Sequence, residues 1–127
     1  MKRIIILFFL CCTIPLIAQH IDPIQEAMAN YDYETALSLI AQKKTTPPLL
    51  LQKGKALRGL GLTTEALATY QEIICNDTTN TRAFIEAAEC CRALAKYNQA
   101  LKYYEHALDL NPENKYVRIQ YISLLLS

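Results

Sequence analysis

The sequence predicts an all-α fold, a right-handed solenoid of helix–turn–helix units, and three observations carry that prediction. Apolar and small residues recur at helical spacing, Phe84, Ala87, Ala88 and Cys91, then Leu101, Tyr104, Ala107 and Leu108. Each helix so defined has only about three turns and is marginal alone in water, so helices must pack in pairs and pairs on pairs. The chain also repeats itself. A shift of 34 residues lays Arg58 on Arg92, Leu60 on Leu94, Ala66 on Ala100, Leu67 on Leu101, Tyr70 on Tyr104, Asn80 on Asn114 and Gly54 on Ala88.

The N-terminal stretch stands apart from this pattern. Lys2 and Arg3 precede an unbroken apolar run from Ile4 to Cys12, followed by Pro15 and a small residue at Ala18. Positive end, apolar core and small-residue cleavage site, in that order, predict a secretory signal peptide over 1–18, with Gln19 as the first mature residue. The run 4–18 has 15 residues, short of the about 20 a membrane-spanning helix needs. An uncleaved anchor at 4–18 is therefore the alternative rather than the first reading. Large residues Phe9 and Leu10 before Cys11 and Cys12 disfavour lipid attachment there. The expectation is an exported protein, in the periplasm or cell envelope if the source is bacterial.

A helical domain is predicted over 22–127. It opens with a partial repeat, 22–44. Asp22 caps a helix whose first position is Pro23, with Ile24, Ala27 and Met28 as its apolar face. Tyr33, Ala36, Leu37 and Ile40 give the second helix, to about Gln42. Pro47 and Pro48 punctuate the entry to the first full repeat, 47–80, with helices at about 49–60 and 64–75 separated by Gly61. Asn76 to Asn80 is a polar turn; Asn76-Asp77-Thr78 fits a glycosylation acceptor triplet, but an ordinary turn is the default. The second full repeat is 81–114. A last helix, 115–126, is left without a partner helix.

A helix–turn–helix period of 34 residues is that of the tetratricopeptide repeat, and the chain resembles that family where packing demands it. Phe84, Ala88, Tyr97, Ala100, Tyr104, Ala107 and Pro112 stand at the family's aromatic, small, aromatic, small, aromatic, small and proline positions. Ala88 and Ala100 are the small residues that allow close helix approach. Within 47–80 the match is looser: Lys53 takes a usually apolar place and Thr78 stands where proline is expected.

Charge and composition exclude several function classes. The chain is 52% hydrophobic and 20% charged, which is globular rather than disordered. Its 13 basic and 12 acidic residues become 11 and 12 once Lys2 and Arg3 leave with the leader, so the mature chain has a formal charge of −1. No basic stripe interleaved with aromatics is present, which argues against nucleic acid. His20 and His106 are isolated, the three glycines make no phosphate loop, and Glu86 and Glu89 lack a His or Cys partner for a metal. The reading is a non-catalytic chain without cofactor or metal. Cys75 lies at a helix end while Cys90 and Cys91 sit roughly 13 Å into the next helix at the α-helical rise, too far for a disulfide. The three are read as small hydrophobes.

The resemblance implies a function. In this family the first helix of each pair lines a concave groove that takes a segment of a partner protein. The matching positions here are Leu51, Lys55 and Arg58 in one repeat and Ile85, Glu89 and Arg92 in the next. Arg82 stands at the groove's edge, and Ile119 and Ser123 extend it along the last helix. The charged members would read a partner's carboxylates. Leu51 and Ile85 stand where the family's clamp for a C-terminal carboxylate would want basic groups, so that specificity is not implied. The alternative is an assembly subunit, or a piece of a larger envelope protein, associating through its last helix. By the 34-residue shift, Tyr121, Ile122 and Leu125 are expected to pack on the preceding pair. Val117 and Leu124 are expected to be left facing solvent, open to a second copy of the chain.

Overall fold

The computed structural model describes residues 20–127, so the signal-peptide and anchor expectations for 1–18 and 4–18 lie outside the described residues. Within them the chain forms seven helices and no strand: α1 (Pro23–Ala29), α2 (Tyr33–Ala41), α3 (Pro47–Gly59), α4 (Thr63–Asn76), α5 (Thr81–Ala93), α6 (Tyr97–Leu110) and α7 (Lys115–Leu125). Each helix packs against the next in sequence.

Two kinds of turn alternate, each for a sequence reason. The odd-numbered helices begin at a side-chain cap. Asp22 accepts from the Ile24 amide, Thr46 from Leu49, Asn80 from Ala83 and Asn114 from Val117, which satisfies amides that a helix start leaves unpaired. Pro47 and Pro48 lie inside the first turn of α3, where their missing N–H groups forgo nothing. That is why α3 starts at Pro47 and not at Leu49, where the sequence pattern places it.

Within each pair the turn is tight and passes through a left-handed residue: Tyr31 (φ 60°), Gly61 (φ 77°) and Ala95 (φ 57°). The Lys96 amide reaches back to the Cys91 carbonyl at 2.8 Å, Leu62 to Leu57 at 2.9 Å and Asp32 to Ala27 at 2.9 Å. This is the six-to-one bond of a Schellman closure. Only Gly61 adopts it without a Cβ penalty.

One continuous core runs from α3 to α7, and Tyr70 and Tyr104 are its largest fully buried side chains. Ala88 and Ala100 are both completely buried, as their reading as close helix contacts requires. The tightest crossing is at Gly54. A Cβ there would stand 2.4 Å from Tyr70 Cζ and 2.9 Å from its hydroxyl. The ring of Tyr70 therefore runs from α4 directly across the backbone of α3.

Three sequence expectations need correction. Val117, expected in solvent, is fully buried, and Leu124 is half-buried against the core. The residues left exposed are instead Ile122 (47%) and Leu125 (55%). The reason is rotational phase. The stripe 117, 121, 124 faces the preceding pair, as the 2.8 Å bond from Tyr121 to Glu105 of α6 shows. The stripe one residue on, offset by about 100°, faces a pair's own second helix, as the Phe84–Tyr103 ring contact in α5 and α6 shows. Both stripes are apolar in sequence, so hydropathy alone does not separate them. The third correction is Tyr97, which is more than half exposed and not a packing residue.

Candidate functional site

The first helices of successive pairs, α3, α5 and α7, share one face, and the side chains projecting from it meet across helices. Glu86 of α5 is the centre of the first cluster. It accepts a hydrogen bond from Arg58 of α3 at 2.6 Å and another from Arg82, one turn earlier on its own helix, at 2.7 Å. Glu89 is the centre of the second. It accepts from the Tyr104 hydroxyl at 2.6 Å and the Tyr116 hydroxyl at 2.9 Å, with Arg92 at 3.7 Å. Arg92 also donates to Gln120 of α7. These bonds tie α3 to α5 and α5 to α7.

Two adjoining concavities open on this face. One, of about 410 Å³, lies between Arg58, Ile85, Glu89 and Tyr116. The other, of about 190 Å³, lies between Leu51, Gln52, Lys55 and the Tyr70 side chain. Arg82 and Glu86 line both, so the two form one groove.

Six of the sequence-identified groove residues, Leu51, Lys55, Arg58, Arg82, Ile85 and Glu89, line that groove. Arg92 lies beside it, bonded to its neighbours, while Ile119 and Ser123 are exposed on α7 beyond the two concavities. Sequence reasoning missed Glu86, Tyr116 and, above all, Tyr70. A signal existed for Tyr70: a core tyrosine brings a hydroxyl that wants a partner. The cations are also less free than their sequence positions suggest. Arg58 and Arg82 share Glu86, and Arg92 pairs with Glu89, whereas Lys55 has no ion-pair partner among the described residues.

Burial sets the protonation of the tyrosines. Desolvation, followed by the hydrogen bond to Glu89, pushes the Tyr104 phenol well above its ordinary range and keeps it a donor. Desolvation and then the Glu86 charge do the same to Tyr70. Cys90, beneath the groove, is likewise pushed up, to about 11, chiefly by burial. Cys75 is exposed at the end of α4, Cys91 is buried, and all three thiols are free. On the opposite face His106 stacks on Phe84 at 5.3 Å beside Lys102 and Tyr103. Among the described residues no three metal-ligating side chains gather in one place, and no helix is long and apolar enough to cross a membrane.

Comparison with known proteins places this architecture. Residues 81–114 match the tetratricopeptide repeat family. No curated protein matches the sequence. Among solved structures, the first such domain of Spaghetti (RPAP3), bound to an HSP90 peptide, is 19% identical with a TM-score of 0.76, covering 81% of this chain and 85% of that one. The Arabidopsis OM64 domain is 18% identical with a TM-score of 0.75, covering 81% and 88%. The Yersinia enterocolitica type III secretion chaperone SycD, in complex with a peptide of the translocator YopD, is 17% identical with a TM-score of 0.74, covering 81% and 87%.

Proposed function

We propose that this chain, whose residues 81–114 match the tetratricopeptide repeat family and whose fold is shared with such domains, is a non-catalytic interaction module that holds a segment of a partner protein in the groove over α3, α5 and α7. The observation that supports this best is the groove itself, where apolar Leu51 and Ile85 alternate with charged Lys55, Arg58, Arg82 and Glu86. Such a surface offers a bound chain both burial and orientation. Two of the similar structures are complexes with a peptide.

The test is affinity purification from the protein's own cell extract with the wild-type chain and a Lys55→Glu, Ile119→Glu variant, both positions being exposed. Partners that disappear with the variant, at unchanged circular dichroism, support groove binding; an identical partner list counts against it. We further propose that the protein is exported, to the periplasm or cell envelope if the source is bacterial, on the strength of Lys2, Arg3 and the apolar run from Ile4. Mass spectrometry of the native protein should find a chain beginning at Gln19. An intact Met1 in the membrane fraction would establish the anchor at 4–18 instead.

A second reading rests on a different surface. Ile122 and Leu125 expose on α7 the face by which α3 and α5 receive their own second helices. Assembly through that face, with a second copy or a larger partner, is the structural alternative.

A further inference from the structure

α7 occupies the place of a repeat's first helix, yet its outward residues are unlike those of α3 and α5. Gly54, Ala88 and Ile122 share one place at 34-residue intervals. A Cβ at Gly54 would already stand 2.4 Å from the Tyr70 ring, and Ala88 is completely covered. The isoleucine of α7 therefore holds off any second helix laid as α4 and α6 are laid. Arg118 is exposed where Leu50 and Phe84 are buried. The groove side changes as well, because exposed Leu126 stands where Arg58 and Arg92 stand. α7 is neither shaped for a further second helix nor a continuation of the charged groove.

Its outermost stripe fits a different occupant. Lys115, Ile119, Ile122 and Leu126 are all exposed and follow one another at intervals of four, three and four residues, the spacing of a coiled-coil seam. That order reads the same in both directions. An antiparallel second copy therefore meets it residue for residue, Ile119 against Ile122 and Lys115 against Leu126. Charge favours the same orientation. Lys115 and Arg118, the only charged residues of α7, both lie near its start, where cations oppose the positive end of their own helix dipole. Lys115 has no ion-pair partner among the described residues. An antiparallel copy brings the negative, C-terminal end of its own helix to that ammonium, twice in each pair; a parallel copy would bring like charges together. We infer that α7 is a homodimerisation helix, paired antiparallel with α7 of a second copy through Ile119, Ile122 and Leu126. This rests on the reading of α7 as an assembly surface and commits that surface to one occupant. A helix of 11 residues is only about 16 Å long, short for a standard interface of about 800 Å² per partner, so the pair is weak, with a micromolar dissociation constant.

Sedimentation equilibrium of the purified chain across the micromolar range should show monomer passing to dimer and no further. Ile122→Lys should abolish the dimer at unchanged circular dichroism. Lys115→Glu should weaken it about tenfold, since two contacts change per pair, without lowering the melting temperature, because a carboxylate suits the start of its own helix. Disulfide cross-linking in a Cys75→Ser background reads the orientation. Ile119→Cys and Ile122→Cys chains should link to each other when mixed and hardly to themselves. Efficient linking of each to itself would show a parallel pair and overturn the proposal. So would a chain that stays monomeric at every concentration, or a dimer indifferent to Ile122→Lys. A monomeric chain that still captures a larger partner from its own cell extract, lost with Ile122→Lys, keeps α7 as an assembly surface and overturns only the homodimer. A chain that does neither overturns both.

Discussion

Tyr104 donates a 2.6 Å hydrogen bond to Glu89, a residue 15 positions earlier on the facing helix, while its repeat counterpart Tyr70, beside Lys55, finds no acceptor among the described residues. The first prediction comes from this contrast. Tyr104→Phe removes a bond to a charged acceptor, which stabilises by about 1.5–3 kcal/mol in general. Since Glu89 keeps Tyr116 and Arg92, the loss should fall toward the low end. Tyr70→Phe removes a buried hydroxyl that has no partner among the described residues and should leave stability unchanged or raise it by about 1 kcal/mol. Lys55→Glu, which recreates the Glu89 arrangement under Tyr70, should stabilise the chain by about 1 kcal/mol. Urea denaturation of the three variants measures all of these. Equal losses for the two tyrosines would refute the asymmetry.

A second prediction concerns Gly54. Replacing glycine with alanine inside a helix normally gains about 1 kcal/mol of propensity. Here the new Cβ would lie 2.4–2.9 Å from the ring and hydroxyl of Tyr70, which is wholly buried and has nowhere to move. Overpacking of about 1–3 kcal/mol should win, and Gly54→Ala should lower the melting temperature. Gly59 is an internal control. Its added Cβ would meet the Tyr33 ring at 2.3 Å, but Tyr33 is only half-buried and can swing outward. Gly59→Ala should therefore be close to neutral.

Third, Lys53 marks a packing fault. Its counterpart Ala87 is fully buried, whereas Lys53 is exposed beside a cavity of about 110 Å³ lined by Leu37, Ile40, Leu49 and Leu50. An aliphatic side chain directed there would fill it, and Lys53→Leu should stabilise the chain by about 0.5–2 kcal/mol, the usual range for cavity filling. A lower denaturation midpoint would show that the lysine stem already covers the gap.

These cases indicate how far the sequence was readable. Helix order and pairing were legible because period, caps and turn residues agree: Asn80 and Asn114 both cap helices, and Gly61 and Ala95 both close turns. The groove face was legible for Arg58, Arg82 and Ile85 because the repeat assigns each position a direction. Two things were not. The phase of α7 was misjudged because Val117 and Ile122 belong to adjacent stripes of equal hydropathy, and only the missing partner helix tells them apart. Glu86 and Tyr70 went unread because their roles arise across helices, from Arg58 28 residues away and from a ring passing over Gly54.

The fourth prediction follows from the buried thiol under the groove. Burial raises the Cys90 pKa to about 11 in the folded chain, against about 9 for an unperturbed thiol. A group whose folded pKa is raised contributes stability that is fully present below the unfolded value and lost as pH rises through the folded one. The melting temperature should therefore decline between about pH 9 and 11, with the buried phenols of Tyr70 and Tyr104 extending the decline further. Cys90→Ala should flatten the first part of this slope. At neutral pH a thiol reagent should label Cys75 quickly and reach Cys90 and Cys91 only after denaturation.

The last prediction separates the two stripes of α7. Ile122 and Leu125 correspond to Ala88 and Cys91, both completely covered in α5, yet here they are about half exposed. Ile119 and Leu126 add further apolar surface, exposed by 63% and 83%. Fully burying such side chains stabilises by about 1.5–3 kcal/mol each, so a second copy of the helix laid against this face has a substantial driving force. Ile122→Lys with Leu125→Glu should leave the fold intact, because neither side chain is in the core, and should abolish self-association. Val117→Lys with Leu124→Glu should instead unfold the C-terminal end, since Val117 is fully buried and an unpaired charge there has no compensation. Light scattering at tens of micromolar together with circular dichroism reads both outcomes. A wild-type chain that stays monomeric, with solubility no different from the Ile122→Lys, Leu125→Glu variant, would show that the exposed face of α7 is not an assembly surface.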